Sequence, residues 1–219
     1  MELKKLFSIS VLKTIKFNIH YFKISGLKFP VLISKSTRLE NLGGKVILNN
    51  VKSNKILIGF GPLQASSYEK GYWYNNGIVV FNDEAHIYSG AKIYNNGKII
   101  FGKNFRIGAS KLFCENFFQF GDDVMISWGC QIMDSDLHDI VSIENKEKIN
   151  IDGTVICGNH VWIASNCNIL KNTFISDDII VASNTFLTGV SLNLSNTIYG
   201  IHAKLIKEKV EWKWEHTKQ

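Results

Sequence analysis

Aliphatic residues recur at every sixth position along the second half of the chain. From residue 157 the sequence divides into the blocks CGNHVW, IASNCN, ILKNTF, ISDDII, VASNTF and LTGVSL. The first positions of these blocks are Cys157, Ile163, Ile169, Ile175, Val181 and Leu187. A period of six matches neither an α-helix nor a single strand, which repeat about every 3.6 and 2 residues. It predicts a coil with triangular turns, in which each block supplies one short strand and one corner.

A triangular coil accounts for the polar positions as well as the apolar ones. The first side chain of each block points into the prism and stacks on the residue eighteen positions later. Corners need tight backbone turns, which Gly, Asn, Asp and Ser accommodate. The residues near the predicted corners are Asn159, Asn166, Asn172, Asp178 and Asn184. The pattern therefore predicts an all-β fold, a parallel β-helix.

The same period runs through the first half of the chain and sets the bounds of the coil. The block FNDEAH begins at Phe81, and after a slip of two residues FGKNFR begins at Phe101. A weaker match upstream is IGFGPL at Ile58. We predict a coil over residues 56–192, interrupted by a polar loop near residues 139–152.

The flanks of the coil carry different patterns. Residues 1–55 alternate weakly between apolar and polar, which predicts a short helix followed by strands that lead into the coil. Residues 193–219 are expected to form a turn and a C-terminal helix, because Leu205, Val210 and Trp214 fall near one face of a helix. Such a helix would cap the open end of the prism.

Composition adds a positive charge and reduced thiols to this picture. The chain has 25 Lys and Arg against 19 Asp and Glu, a formal charge of +6, which suits an anionic partner without identifying it. Its four cysteines form no CxxC pair, so we expect free thiols in a cytoplasmic protein. Cys130 and Cys167 fall at core positions of the repeat. We therefore interpret these two cysteines as packing residues.

The N-terminal segment from Leu3 to Phe17 mixes apolar residues with four lysines. It has two interpretations, a basic amphipathic helix on a membrane surface or an element packed on the body of the protein. We favour the packed element and keep peripheral contact with the inner face of a membrane as the alternative. No apolar run approaches the ~20 residues that span a bilayer.

The candidate chemistry lies in MDSDLHD, residues 133–139, where the coil gives way to the polar loop. A histidine among carboxylates can be held in one tautomer and used as a general base. We predict His138 as the catalytic residue, with Asp134, Asp136 and Asp139 as candidate orienters. His160 and His86 fall at coil corners and are not expected to be catalytic. The same holds for His20, His202 and His216, which lie outside the coil.

These stretches resemble the hexapeptide-repeat acyltransferases, in particular the acetyltransferases of capsule and lipopolysaccharide clusters. The resemblance rests on the blocks from Phe81 to Leu192, ISWGCQIMDSDLHDI, GNHVWIASNCNILKN and YGIHAKLIK. It implies a left-handed β-helix and a homotrimer with active sites between neighbouring prisms. It also implies acetyl-CoA as co-substrate and no metal.

Residue roles follow from the same resemblance. His138 would deprotonate a sugar hydroxyl for direct attack on the thioester, and Asp139 and Trp128 would contact the acceptor. The residues expected to contact acetyl-CoA are Trp162, Ala164, Ala182, Ser183, Lys204 and Lys207. The chain departs from the family pattern at IASN, at VASNTF and at Gly200–Ala203, where the family's Asn-Pro is missing. These departures bear on the cofactor contacts and not on His138.

The expected activity is O-acetylation of a sugar in a surface polysaccharide or its precursor, with a glycan and no nucleic acid as partner. One alternative is N-acetylation of an amino sugar, although no nucleotide-binding domain precedes the coil. A second is a metal-dependent hydratase resembling the γ-class carbonic anhydrases. That chemistry needs three converging histidines, and only His138 and His160 lie in the relevant blocks. A third is a binding protein without catalysis.

Overall fold

The prism has three faces, each a β-sheet built from strands of successive turns. A computed structural model describes residues 7–49, 52–61 and 69–214, so Leu3–Leu6 and His216 lie outside the described residues. The described residues contain 23 strands, numbered β1 to β23 in chain order. All neighbouring strands pair in parallel except β22 and β23. This is the parallel β-helix that the sequence predicts.

The bounds of the strands follow the three faces. Face 1 consists of β1 (Val31–Ile33), β4 (Ile56–Ile58), β7 (Ala85–Ile87), β10 (Phe105–Ile107), β13 (Met125–Ile126), β16 (Trp162–Ile163), β19 (Ile179–Val181), β22 (Thr197–Tyr199) and β23 (Leu205–Glu208). Face 2 consists of β2 (Thr37–Asn41), β5 (Gly71–Asn75), β8 (Lys92–Asn95), β11 (Lys111–Cys114), β14 (Gln131–Met133), β17 (Asn168–Ile169) and β20 (Phe186–Leu187). Face 3 consists of β3 (Lys45–Leu48), β6 (Ile78–Phe81), β9 (Lys98–Phe101), β12 (Phe117–Phe120), β15 (Thr154–Cys157), β18 (Thr173–Ile175) and β21 (Ser191–Leu192).

The predicted first positions form the core of the prism. All six from Cys157 to Leu187 are at most 1% exposed. Ile163 pairs with Val181 and Ile169 with Leu187, each eighteen residues further on. At the corners, Asn166, Asn172, Asp178 and Asn184 adopt left-handed backbone angles, with φ of 59° or 60°. Asn and Asp tolerate this region better than other non-glycine residues, which explains the polar spacing.

The earlier turns are longer than the predicted eighteen residues. Phe81 pairs with Phe101 twenty residues on, and Phe101 with Phe120 nineteen residues on. The extra residues lie at the corner between faces 2 and 3, where the sequence shows its two-residue slip. Larger turns enclose larger side chains, and the rings of Phe101 and Phe105 pack 4.5 Å apart inside them. The coil is thus wide and aromatic at its start and narrow and aliphatic at its end.

The coil extends beyond residues 56–192 in both directions. Strands β1, β2 and β3 already occupy the three faces, so the first turn begins at Val31. At the other end β22 continues face 1 to Tyr199. The pattern before residue 56 is weak because each of these first strands is stacked on one side only.

An N-terminal helix, α1 (Val11–Phe22), closes the first turn, followed by a 3₁₀ helix over Lys23–Lys28. Asn18 donates to the carbonyl of Val31 and accepts from its N–H, at 2.7 and 3.2 Å. The hydroxyl of Thr14 accepts from the N–H of Ile33 at 3.1 Å. Phe17 is fully buried against Trp73 in the mouth of the prism. The helix therefore packs on the body of the protein, and its polar side chains bind backbone groups of β1 that no other strand pairs.

The predicted C-terminal helix is wrong. After Gly200 the chain turns back, and Leu205–Glu208 form β23, antiparallel to β22. Beyond it Trp212 is buried against face 1, with its indole N–H donating to the carbonyl of His160 at 3.0 Å. The unpaired edge of β22 offers more backbone hydrogen bonds than a helix resting on the end of the prism would satisfy. In the part of the chain that the structure describes, the helices are too short or too polar to cross a bilayer.

The stacked core predicts a clear difference between inward and outward side chains. Ile169 is fully buried on β17, whereas Phe186 on the neighbouring strand is 41% exposed. We expect Ile169→Ala to lower the free energy of unfolding by about 2–5 kcal/mol, because it leaves a cavity inside the prism. Phe186→Ala should lower it by less than about 1 kcal/mol. Urea denaturation followed by circular dichroism tests this, and similar losses for both variants would contradict the stacking.

Candidate active site

The polar loop leaves the coil at the corner between faces 2 and 3, after β14. It begins at Asp134 and returns at Gly153, whose N–H donates to the carbonyl of Asp134 at 2.7 Å. A bridge between Val141 and Lys148 gives its outer part the form of a short hairpin. The loop that the sequence predicts near residues 139–152 is thus an ordered excursion from one corner of the prism.

His138 lies on this loop with its side chain exposed. It lines a cavity of about 230 Å³ together with Glu115, Ser135, Leu137, Asp139, Lys148 and Asp152. Within the described residues the imidazole of His138 has no hydrogen-bond partner. Both ring nitrogens are therefore open to a ligand in the cavity.

Asp134 is one of the three predicted orienters of His138, and its position does not fit that role. Its carboxylate is fully buried and accepts hydrogen bonds from the backbone N–H groups of Glu115, Asn116 and Phe117, at 2.7 to 3.0 Å. The Cys114 thiol also donates to it, at 3.4 Å. Burial first, and the nearby Asp134 carboxylate second, raise the pKa of that thiol. Asp134 therefore secures the wide corner of the preceding turn.

Asp136 holds the loop to the coil instead of orienting the imidazole ring. Its Oδ2 accepts from Lys171 Nζ at 2.5 Å and from Asn150 Nδ2 at 2.7 Å. The same Asn150 amide donates to the carbonyl of His138 at 2.8 Å. Lys171, from the next turn of the coil, also donates to the carbonyl of Ile151 at 3.1 Å. We name the side chains of Asp136, Asn150 and Lys171 the loop clamp.

Asp139 is the one predicted carboxylate that lines the cavity beside His138. Its Oδ1 lies 2.7 Å from Lys148 Nζ. The hydrogen bond to Asp139 raises the pKa of that lysine. The pair ties the two strands of the loop together next to the imidazole.

Most residues expected to contact acetyl-CoA follow one edge of the prism, between faces 1 and 2. Ala164 and Ala182 lie on successive turns, and Ser183 Oγ lies 3.2 Å from Ser165 Oγ. The N–H groups of Ala164 and Ala182 bond to the following turn, whereas those of Ser165 and Ser183 bond to no described residue. Lys204 comes next along this edge, in the turn after Tyr199. We name this row the serine edge, consisting of residues 164–165, 182–183 and 204.

Trp162 and Lys207 are the expected contacts that are not part of the serine edge, and both lie on strands of face 1. The Trp162 indole donates to Ser127 Oγ at 3.0 Å, and its ring lies 6.2 Å from that of Trp212. Lys207 is exposed on β23. Trp128 is 53% exposed on the same edge as Ser165, one turn earlier. Because this edge and the His138 loop are at different corners, the width of face 2 separates Trp128 from His138.

His160 is engaged in the structure of the protein. Its Nδ1 lies 2.8 Å from Asp178 Oδ1 and its Nε2 lies 3.1 Å from the carbonyl of Trp212. The ring also stacks on that of Trp212, with centroids 4.8 Å apart. Among the described residues no group of three or more His, Cys, Asp or Glu side chains is arranged to hold a metal ion.

No pattern in the sequence indicates a role for Lys171 or Asn150. Lys171 occupies an ordinary outward position of a regular block, and Asn150 lies in a loop without a repeat. Each is recognised only from the contact it makes across the fold. Ser165 could have been found, because it occupies the same position in its block as Ser183.

Comparison with known proteins finds acetyltransferases that resemble this chain in part of their sequence or in fold. No protein-family model matches it. A polysialic acid O-acetyltransferase of Neisseria meningitidis is 33% identical over 92 residues, which cover 42% of this chain and 43% of that enzyme. The match thus spans less than half of the relative's own length.

Two solved structures resemble the whole coil. The polySia-specific acetyltransferase NeuO has a TM-score of 0.54 at 19% identity, covering 85% of this chain and 93% of that chain. The polysialic acid O-acetyltransferase OatWY has a TM-score of 0.52 at 22% identity, covering 83% and 92%. At such identities these likenesses show the fold, a left-handed β-helix.

The loop clamp predicts how the loop responds to substitution. We expect Lys171→Met to release the loop, because it leaves the Asp136 carboxylate without its cation. Cleavage by thermolysin at the exposed aliphatic residues of the loop should then accelerate several-fold, while the thermal midpoint changes little. Lys103→Met, which removes an exposed lysine from another corner, is the control. Equal cleavage rates in the two variants would contradict the clamp.

The clamp should also depend on pH. Lys171 and then Asn150 lower the pKa of Asp136 below its usual value. A carboxyl with a depressed folded pKa contributes its stabilisation fully above its unfolded pKa, about 3.9, and loses it as pH falls through the folded one. The loop should therefore stay protected at neutral pH and open only in acid below about pH 4.

Proposed function

We propose that this chain transfers an acetyl group from acetyl-CoA to a sugar hydroxyl of a surface polysaccharide or its precursor, with His138 as the general base. The observation that carries the proposal is the exposed imidazole, which has no described protein partner and faces a cavity on a clamped loop. The similarity to a polysialic acid O-acetyltransferase supports an anionic glycan as the acceptor class.

The proposed reaction is a direct transfer. A ring nitrogen of His138 takes the proton of the acceptor hydroxyl as its oxygen attacks the carbonyl carbon of the thioester. The carbon–sulfur bond then breaks, and the thiolate takes the proton from the imidazolium. The ring returns to its neutral form and no acyl group is attached to the protein. The loop clamp keeps His138 in place, because the side-chain amide of Asn150 donates to the backbone carbonyl of His138.

The serine edge suits the pantetheine arm of acetyl-CoA. The unbonded N–H groups of Ser165 and Ser183 lie one turn apart and could donate to successive amide carbonyls of the arm. Lys204, further along the edge, would lie near the phosphates. Trp128, exposed at the other end of the row, is proposed to contact the acceptor together with Asp139.

A complete site then requires a second copy of the chain. The serine edge and His138 belong to different corners of one prism, so a single copy does not bring them together. In a homotrimer around a threefold axis, each prism can face its neighbour's loop with its own serine edge. We propose this arrangement, and a cytoplasmic location in keeping with the four free and buried cysteines.

Removing the imidazole tests the catalytic assignment. We expect His138→Ala to reduce thiol release from acetyl-CoA, with a sialic acid polymer or other glycan as acceptor, by about 100- to 10,000-fold. The thermal midpoint should be unchanged, because His138 is exposed. His86→Gln, on face 1, is the control and should retain activity. A panel that includes amino sugars tests the acceptor, and transfer only to amines would contradict an O-acetyltransferase.

Mixing two inactive variants tests whether neighbouring copies share the site. His138→Ala removes the base and Ser183→Trp blocks the serine edge, so each variant alone should be inactive. Co-expressed in equal amounts, they should recover about a quarter of the activity, since one interface in four then pairs an intact loop with an intact edge. No recovery in mixed trimers would indicate a site within one chain.

A further inference from the structure

The helix α1 packs one side on the coil and leaves a second, aliphatic side exposed. Thr14, Phe17 and Asn18 are buried against the first turn. Six large aliphatic side chains of α1 and the 3₁₀ helix remain between 37% and 83% exposed. They are Val11, Leu12, Ile15, Ile19, Ile24 and Leu27. We name the segment Val11–Lys28 the N-terminal cap.

The two helices of the cap form one unit. Gly26 approaches the backbone of Asn18 so closely that a Cβ there would lie 2.3 Å from the Asn18 carbonyl oxygen. The 3₁₀ helix therefore lies against α1, and its exposed Ile24 and Leu27 add to the apolar surface of the cap. Exposed aliphatic side chains this numerous on one small element mark a contact surface.

The charge of the cap has a single sign. It contains four lysines and no Asp or Glu. The Nζ of Lys13 donates to the carbonyls of Lys35 and Thr37, at 2.9 and 2.6 Å, so this lysine is bound to the coil. Lys16, Lys23 and Lys28 are exposed beside the aliphatic side chains. Apolar and cationic side chains thus share one surface.

We infer that the cap docks on a lipid bilayer that carries anionic headgroups. Aliphatic side chains would enter the boundary of the acyl region while the lysines contact the headgroups, as in helices that lie in the plane of a membrane interface. A second copy of the chain fits less well, because a symmetric contact would bring the lysines of two caps against each other. Docking of this kind does not depend on the proposed catalytic function.

The position of the cap sets the orientation of the protein. The cap closes the first turn, so the coil would rise away from the bilayer. Strands of neighbouring turns are spaced about 4.8 Å apart, and the His138 loop follows the fifth strand of face 2. His138 would therefore be held about 20 Å above the first turn of the coil, on the side away from the bilayer, at a height suited to a glycan carried on that surface.

Co-sedimentation of the full-length protein with vesicles tests the inference. Vesicles of phosphatidylcholine alone are compared with vesicles containing 30% phosphatidylglycerol, at about 0.05 M and 0.5 M salt. We expect binding to the anionic vesicles at low salt, with little binding to the neutral ones. Leu12→Gln/Ile24→Gln and Lys16→Glu/Lys23→Glu should each reduce the partition coefficient at least about tenfold. All four of these side chains are exposed, so the fold should persist.

Matched variants outside the cap serve as controls. Ile201→Gln/Ile206→Gln removes two aliphatic side chains that are 57% and 59% exposed, and it should bind like the unchanged protein. Lys103→Glu/Lys209→Glu controls for the change of net charge. Equal losses in cap and control variants, or no binding of the unchanged protein to anionic vesicles, would overturn the inference. So would self-association in solution that Leu12→Gln/Ile24→Gln abolishes.

Discussion

In-register stacking inside a narrow three-sided prism is the constraint on which this structure depends. Each turn contributes inward side chains that rest on those of the turns before and after it, as Ile163 does between Ile126 and Val181. The interior has no room for additional chain, so an insertion can leave only at a corner. The two ends of the stack must be closed by other elements, which are α1 at the start and β23 at the end.

The extent to which the sequence predicted the structure follows from this constraint. The predictions for Ile163 and Asn166 are confirmed because the positions of these residues depend on a local period. The strand β23 is not predicted, because its residues have helical spacing. They form a strand because the free edge of β22 offers them backbone hydrogen bonds. The sequence places Asp134 beside His138 but does not show that the backbone of Glu115–Phe117, one turn away, binds its carboxylate. The predicted catalytic role of Asp134 therefore depends on a contact that local spacing cannot reveal. Lys171 gave no signal at all, since its role depends only on reaching the loop across the fold.

In the candidate site the loop is held by side-chain contacts, whereas the ring of His138 has no hydrogen-bond partner among the described residues. The three aspartates predicted to orient His138 are already engaged, Asp134 by backbone amides, Asp136 by Lys171 and Asp139 by Lys148. The imidazole is thus held by its backbone, through Asn150, and its ring is left for a ligand. His160 shows the opposite arrangement, with both ring nitrogens facing protein oxygens. The contrast between the two histidines separates a candidate catalytic group from a structural one.

Because the turns differ in length along the coil, one turn cannot replace every other turn when the gene is duplicated or recombined. The turns of nineteen or twenty residues are filled by phenylalanine rings, and those of eighteen by isoleucine, valine and cysteine. A duplication or deletion of one turn would preserve packing only within its own half. Exchange between the halves would force aromatic rings into a perimeter too small for them. The chain can therefore lengthen or shorten by recombination only between turns of the same girth.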